Sequence, residues 1–252
     1  MKGKEWIWNP KTKGSGIITC IPQKGKCPNN CPDCFFQSGR SYLSPLDENL
    51  PHIPTWDMAK GRVVRMNDGN DSNVDRELVE SSVLRYDDYF FNTAIPKNLG
   101  SFSGPVVLTV NPGKMTDKGF HKLKYLPKNL MFVRVRTNTW NIDNVVQPCI
   151  NYYTYKNVPV ILTYMAYYTE SIPEKEKKKY IWEKRTTNSY WVLEETARIR
   201  IIKLWEHNSF VYECGYKGTH SCQKCGNCIR EYYNAKERTR GEKIKSLSMP
   251  TL

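Results

Sequence analysis

Arg62-Val-Val-Arg-Met66, then Asn67-Asp-Gly-Asn-Asp-Ser72, then Val74–Tyr86 is the run whose reading decides the fold. The first segment is an apolar strand and the second a polar loop containing glycine. In the third, Val74, Leu78, Val79 and Val83 recur at helical spacing. Ser72 and Asp75 form an S-x-x-D capping box, which predicts a helix starting at Ser72. Strand, loop and helix make a βα unit. Its loop leaves the C-terminal end of the strand, the face on which barrels of such units carry their active sites.

The alternation continues in both directions. Upstream lies a strand at Gly16–Ile21, then residues 37–60, where Pro45, Pro51 and Pro54 predict irregular chain with one short helix. Downstream come strands at Val106–Asn111, Phe132–Asn138 and Val158–Met165, and a shorter one within residues 88–95. A helix is expected at Asp143–Tyr155, a long helical tract over Glu174–Trp205, and a last strand at Phe210–Glu213. Six main strands alternating with helices predict an α/β fold, a partial (βα)6 TIM-like barrel over 16–213. An N-terminal arm at 1–15 and a cysteine-rich, metal-binding tail with a basic C-terminus at 214–252 complete the expected organisation.

Period-two alternation sorts the strand faces. Val133, Val135 and Thr137 separate from Phe132, Arg134, Arg136 and Asn138; Arg65 goes with Asn67, and Thr109 with Asn111. The apolar sets should meet the helices, leaving the arginines in the lumen. An unpaired buried charge is costly, so these arginines call for anionic partners. A slip of one residue in register would turn them all outward.

Directly after the first strand comes Cys27-Pro-Asn-Asn-Cys31-Pro-Asp-Cys34-Phe35-Phe36. The loop lacks the fourth Cys or His that a zinc knuckle wants close by, the nearest His being His52. An odd number of cysteines argues against a disulfide knot. Three thiolates suit three irons of a 4Fe–4S cluster whose fourth iron stays open, as an open position marks a catalytic zinc.

This C-x3-C-x2-C spacing resembles the radical S-adenosylmethionine (SAM) superfamily. The resemblance implies that Cys27, Cys31 and Cys34 hold a 4Fe–4S cluster whose open iron binds the methionine moiety of SAM. It implies reductive cleavage of SAM to a 5′-deoxyadenosyl radical that abstracts hydrogen from substrate, and an electron donor such as flavodoxin or ferredoxin. An aromatic residue usually precedes the third cysteine; here it is Asp33, and Phe35 and Phe36 follow instead, which leaves Phe36 among the expected cofactor contacts. The superfamily often holds the methionine amine with a Gly-Gly-Glu-like run after the second strand. Gly69-Asn70-Asp71 occupies that place, so Asn67, Asp68, Gly69, Asn70, Asp71 and Ser72 are expected to orient SAM, with Arg134 or Arg136 clamping its carboxylate. A tight turn with Asn and Asp bonded to the backbone is the plainer reading of the loop.

A second cysteine set, Cys214, Cys222, Cys225 and Cys228, follows the last strand. Its C-x2-C-x2-C run with a remote fourth ligand reads as an auxiliary 4Fe–4S site or as structural zinc. His220 reads as a surface or outer residue, and Lys236, Arg238, Arg240, Lys243 and Lys245 as a basic appendage. Cys20 reads as a small buried hydrophobe rather than a hydrogen-atom donor.

Composition narrows the class. The chain has 252 residues, 39% of them apolar, enough for a core, and no apolar run of the ~18 residues a membrane span needs. Its start has no apolar leader, so a cytoplasmic protein without membrane contact is expected, and nine cysteines there point to metal rather than disulfides. A net charge of +13 favours an anionic substrate or partner, including nucleic acid. The alternative class is a non-enzymatic nucleic-acid-binding protein with zinc in both cysteine sets.

Overall fold

A computed structural model describes residues 6–110, 122–168, 170–186, 189–215 and 221–247, with side chains as far as residue 240. Asn111, His220, the first residues of the arm, the chain beyond 247 and the side chains of Lys243 and Lys245 lie outside the described set. In chain order the elements are β1 (Ile17–Cys20), α1 (Leu46–Asn49), α2 (Trp56–Ala59), β2 (Val63–Met66), α3 (Arg76–Val83), β3 (Tyr89–Thr93), β4 (Val106–Val110) and β5 (Leu130–Thr137). A π-helical turn at Ile142–Val146 runs into α4 (Gln147–Thr154), followed by β6 (Val160–Tyr164), β7 (Tyr180–Glu183), β8 (Tyr190–Leu193), α5 (Glu195–Lys203), β9 (Val211–Glu213), α6 (Cys222–Cys225) and α7 (Asn227–Leu247).

Seven strands make one parallel sheet in the order β1-β2-β3-β4-β5-β6-β9. The fold is α/β. β1 and β9 stand at opposite edges and no sheet closes, so the described residues form an open sheet rather than a closed barrel. Along each strand alternate residues take opposite faces. Val64, Phe91, Leu108, Val133, Val135 and Leu162 pack with Val79, Val83, Val146, Ile150, Tyr153, Ala197 and Ile201 from α3, the α4 region and α5. Each such buried side chain stabilises by about 1.5–3 kcal/mol.

The other face carries a second, separate apolar layer of Val63, Phe90, Val107, Phe132 and Ile161, and α7 covers it with Tyr232 and Ala235. Polar anchors hold the helix there. Asp88 Oδ1 accepts from Tyr232 Oη at 2.7 Å and pairs with Lys236 Nζ at 2.7 Å, while Arg238 donates to the Leu130 carbonyl at 3.0 Å. One inward position further along the same strands the residues turn polar: Arg65, Asn92, Thr109, Arg134 and Thr163. The inner face is therefore an apolar floor under the tail helix with a polar layer beyond it, towards the C-terminal strand ends. The arginines face inward, as the alternation of β5 required.

Two helical expectations are corrected. The helix after β2 begins at Arg76, not Ser72: the Ser72 hydroxyl accepts from Asn67 Nδ2 at 3.2 Å, and Asp75 is left-handed (φ 52°) with no side-chain cap bond. The tract Glu174–Trp205 is not one helix. A 3-10 segment at Glu174–Lys179 leads into the antiparallel β7–β8 hairpin, where Trp182 pairs with Trp191 and Ile181 with Val192, and α-helix forms only over α5. Aromatic and β-branched residues fit a pleated surface better than a helical one. Among the described residues no helix is long and apolar enough to cross a membrane.

Candidate functional site

The loop after β1 brings Cys27, Cys31 and Cys34 together, none in a disulfide, with Cys27 buried and the other two half-buried. Asn30 (φ 42°) and Asp33 (φ 50°) take left-handed conformations that fold the loop back on itself. Burial pushes the Cys27 thiol up to about 11, with Asp71, Cys31 and Cys34 adding to the rise. Facing them is Arg136, whose own pKa burial lowers while Cys31, Cys34, Tyr167 and Asp33 support its charge. Arg136 donates to the Asp33 carbonyl at 3.3 Å. The Asp33 carboxylate accepts from the Tyr168 amide at 3.4 Å and from Ser171 Oγ at 3.1 Å, tying the cysteine loop to the chain after β6.

The loop after β2 sits beside it. Asn67 is left-handed (φ 56°) and buried; its Nδ2 donates to Ser72, and its Oδ1 is buried without a partner. Asp68 takes Arg65 as an ion-pair partner and accepts from Asn9 Nδ2. Asn70 accepts from the Asp71 amide at 2.9 Å. Asp71 has both oxygens engaged: Oδ1 accepts from Thr93 Oγ1 at 2.6 Å and the Asn73 amide at 2.9 Å, Oδ2 from Asn29 Nδ2 at 2.8 Å and the Ala94 amide at 2.7 Å. Asp71 thus locks the cysteine loop, through Asn29, to the end of β3. Gln23 adds bonds to the carbonyls of Asp71 (3.1 Å) and Val74 (2.8 Å).

Phe36, expected among the cofactor contacts, lies beneath the loop. It is 1% exposed, in a small core with Ile21, Leu43 and Leu46, and its ring lies against Gly69, where an added Cβ would come within 2.0 Å. Packing against the loop backbone accounts for Phe36 and for the glycine opposite it. Phe35, beside it in sequence, is exposed.

The four tail cysteines also converge. Cys214 follows β9 on the inward parity, its amide donating to the Leu162 carbonyl at 2.8 Å, and the Cys222 amide donates to the Lys11 carbonyl at 2.8 Å. A hydrogen bond with Cys225, more than desolvation, holds Cys214 well above the usual thiol range although the residue is solvent-exposed, with Cys228 close by. Burial raises Cys222, against the favourable charges of Arg65 and Arg134. Arg134 also donates to Asn92 Oδ1 at 3.2 Å. Arg134 and Arg136 are two residues apart on one strand face, a rise of about 7 Å. The first faces the tail cysteines and the second the loop cysteines, so β5 brings the two sets to neighbouring levels of the inner face.

Among the described residues no three His, Cys, Asp or Glu side chains are grouped to hold a metal ion. A cubane presents separate irons to its cysteines and asks for a wider set than a single ion does. Cys20 and Cys149 face the helical side of the sheet; burial pushes Cys20 up to about 12 and Cys149 higher still. The Asp33 tie and the α7 floor were missed in the sequence; the left-handed preference of Asp before a cysteine is the one local signal of the first. Set against models of protein families, curated proteins and solved structures, the chain matches none.

Proposed function

We propose that this chain is a radical SAM enzyme with Cys27, Cys31 and Cys34 holding the 4Fe–4S cluster. One observation carries the reading: three cysteines of one loop, none in a disulfide, gather at the C-terminal end of β1 in an all-parallel sheet, facing a buried arginine. The unbroken strand order suits an arc of a TIM-like barrel, in which ligands meet the C-terminal strand ends. The donor chemistry fits. Thiolates are the ligands such clusters take, and the orphaned Oδ1 of Asn67 is an acceptor suited to the SAM ammonium group. Arg134, which pairs with no carboxylate among the described residues, or Arg136 suits the SAM carboxylate.

When bound, the reduced cluster and SAM supply a carbon-centred radical for hydrogen abstraction. The chain's own residues do the rest. Arg136 offsets negative charge on the cysteine loop, Asp33 and Asp71 fix that loop to its neighbours, and the Phe36 core backs it on one side. The tail cysteines hold a second 4Fe–4S cluster or zinc beside Arg65 and Arg134. The lack of a disulfide at any of the nine cysteines suits a reducing cytoplasmic setting. An electron donor such as flavodoxin or ferredoxin and an anionic substrate, nucleic-acid-linked among the choices, complete the reading.

The test is iron, sulfide and zinc content after anaerobic purification, with 5′-deoxyadenosine formation from SAM and dithionite. About eight iron means two clusters, and four iron with one zinc a structural tail. Zinc alone, with no iron after reconstitution, refutes the enzyme and leaves the zinc-stabilised nucleic-acid-binding protein.

A further inference from the structure

At the N-terminal ends of β1 and β2, away from the cysteine loop, lies a cavity of about 500 Å³. That volume is within the range of about 300–1,000 Å³ typical of small-molecule sites. Its walls include the cations Lys13, Lys60 and Arg62, the indole of Trp8, and the backbones of Gly16 and Gly61. No carboxylate lines it, and none of the three cations makes an ion pair among the described residues. Arg62 is steered rather than loose: it donates to the Met58 carbonyl at 2.8 Å and stands 5.6 Å over the Trp8 ring.

The glycines shape the floor. Gly16 (φ 74°) and Gly61 (φ 71°) are left-handed, and a Cβ would meet only Ile229 at 4.0 Å at the first and nothing at the second. The wall is therefore low, and a ligand can approach the backbone. Three like charges around one cavity repel each other, and an anion placed among them relieves that repulsion. Trp8, 37% exposed, adds a flat apolar face. Cations together with a stacking ring select a planar, phosphate-bearing ligand.

We propose that this cavity is a nucleotide site, Lys13, Lys60 and Arg62 meeting the phosphate and Trp8 the base. The nucleotide is either free or one unit of a single strand. The overall charge of +13 draws either one in. The site is away from the loop cysteines, though its Gly14 wall lies against Gln223 of the tail, where an added Cβ would come within 3.1 Å. It does not depend on the enzyme reading, and its test needs neither iron nor SAM.

The experiment is equilibrium binding to the full chain at about 50 mM salt, where phosphate contacts are weakly screened. The probes are adenosine monophosphate, inorganic phosphate and a short single-stranded oligonucleotide. The double variant Lys60→Ala/Arg62→Ala should weaken nucleotide and oligonucleotide about tenfold or more and lower the salt slope by about 2. Trp8→Ala should weaken nucleotide about tenfold while leaving inorganic phosphate unchanged. Lys13→Ala, an exposed change with an unaltered circular dichroism spectrum, repeats the phosphate test without risk to the fold. Tighter binding of the oligonucleotide assigns the site to a strand, and equal binding to the free nucleotide. Absence of nucleotide binding at low salt, or affinity unchanged in the double variant, overturns the proposal.

Discussion

Gly69→Ala asks whether the loop after β2 is held by the ring beneath it. An alanine Cβ at position 69 would sit 2.0, 2.4 and 2.5 Å from Cδ2, Cε2 and Cγ of Phe36. These are ring atoms rather than a flexible chain end, and the ring is boxed in by Ile21, Leu43 and Leu46. Overpacking of this kind costs about 1–3 kcal/mol, and the upper end applies because the buried ring cannot turn aside, although the loop above it is only half-buried. For a chain of this length about 3 kcal/mol corresponds to a fall in Tm of roughly 6–12 °C. Urea denaturation followed by far-UV circular dichroism measures it. Phe36→Leu alone should cost about 1 kcal/mol. The double variant should recover about 1–2 kcal/mol relative to additivity, the coupling of groups in direct contact. A Gly69→Ala protein within about 0.5 kcal/mol of the parent, or a strictly additive pair, would refute the packing argument.

Other outcomes follow from the same geometry. Serine at Cys27, Cys31 or Cys34 should remove about four iron and all SAM cleavage while sparing the tail metal; SAM cleavage retained in any of them sinks the enzyme reading. Asp71→Ala should destabilise by about 3 kcal/mol or more, since Thr93, Asn29 and two amides lose their acceptor at once, and urea titration reads this directly. Partial burial works against the Asp88 carboxylate, but hydrogen bonds from Lys236 and Tyr232 outweigh it and hold its pKa below the ordinary value. The stability it adds is present above the unfolded-state pKa and lost as pH falls through the folded one; Asp88→Asn should flatten the acid limb of a stability–pH curve, and an unchanged limb would contradict the anchor.

Much of the sheet was legible because each strand announces itself locally. Val133 and Val135 alternate with Arg134 and Arg136, so the two faces could be sorted, while which of them turned inward was settled by the fold. The cysteine loop was legible for a similar reason: its ligand spacing is local. The β7–β8 hairpin was hidden because Tyr180-Ile-Trp182 and Tyr190-Trp-Val192 lie between a lysine run and a true helix, and helical periodicity was read across all three. The helix start at Arg76 was hidden because Ser72 serves Asn67, a side-chain contact that the capping pattern does not reveal. Asp33 meets Tyr168 and Ser171 across separations of 135 and 138 residues, and no local pattern encodes such a tie.

The covering of the inner floor by α7 sets an order of events during synthesis. Tyr232 bonds Asp88 across 144 residues, so the strands carrying Phe90, Val107 and Phe132 are made long before the helix that covers them. Until then a nascent chain presents a bare apolar face, a surface that invites aggregation. Cys222, which precedes α7, reaches Arg65 and Arg134 only as that helix docks. Closure of the floor is then a late step, and a chain released before α7 should be sticky, with its tail cysteines undocked.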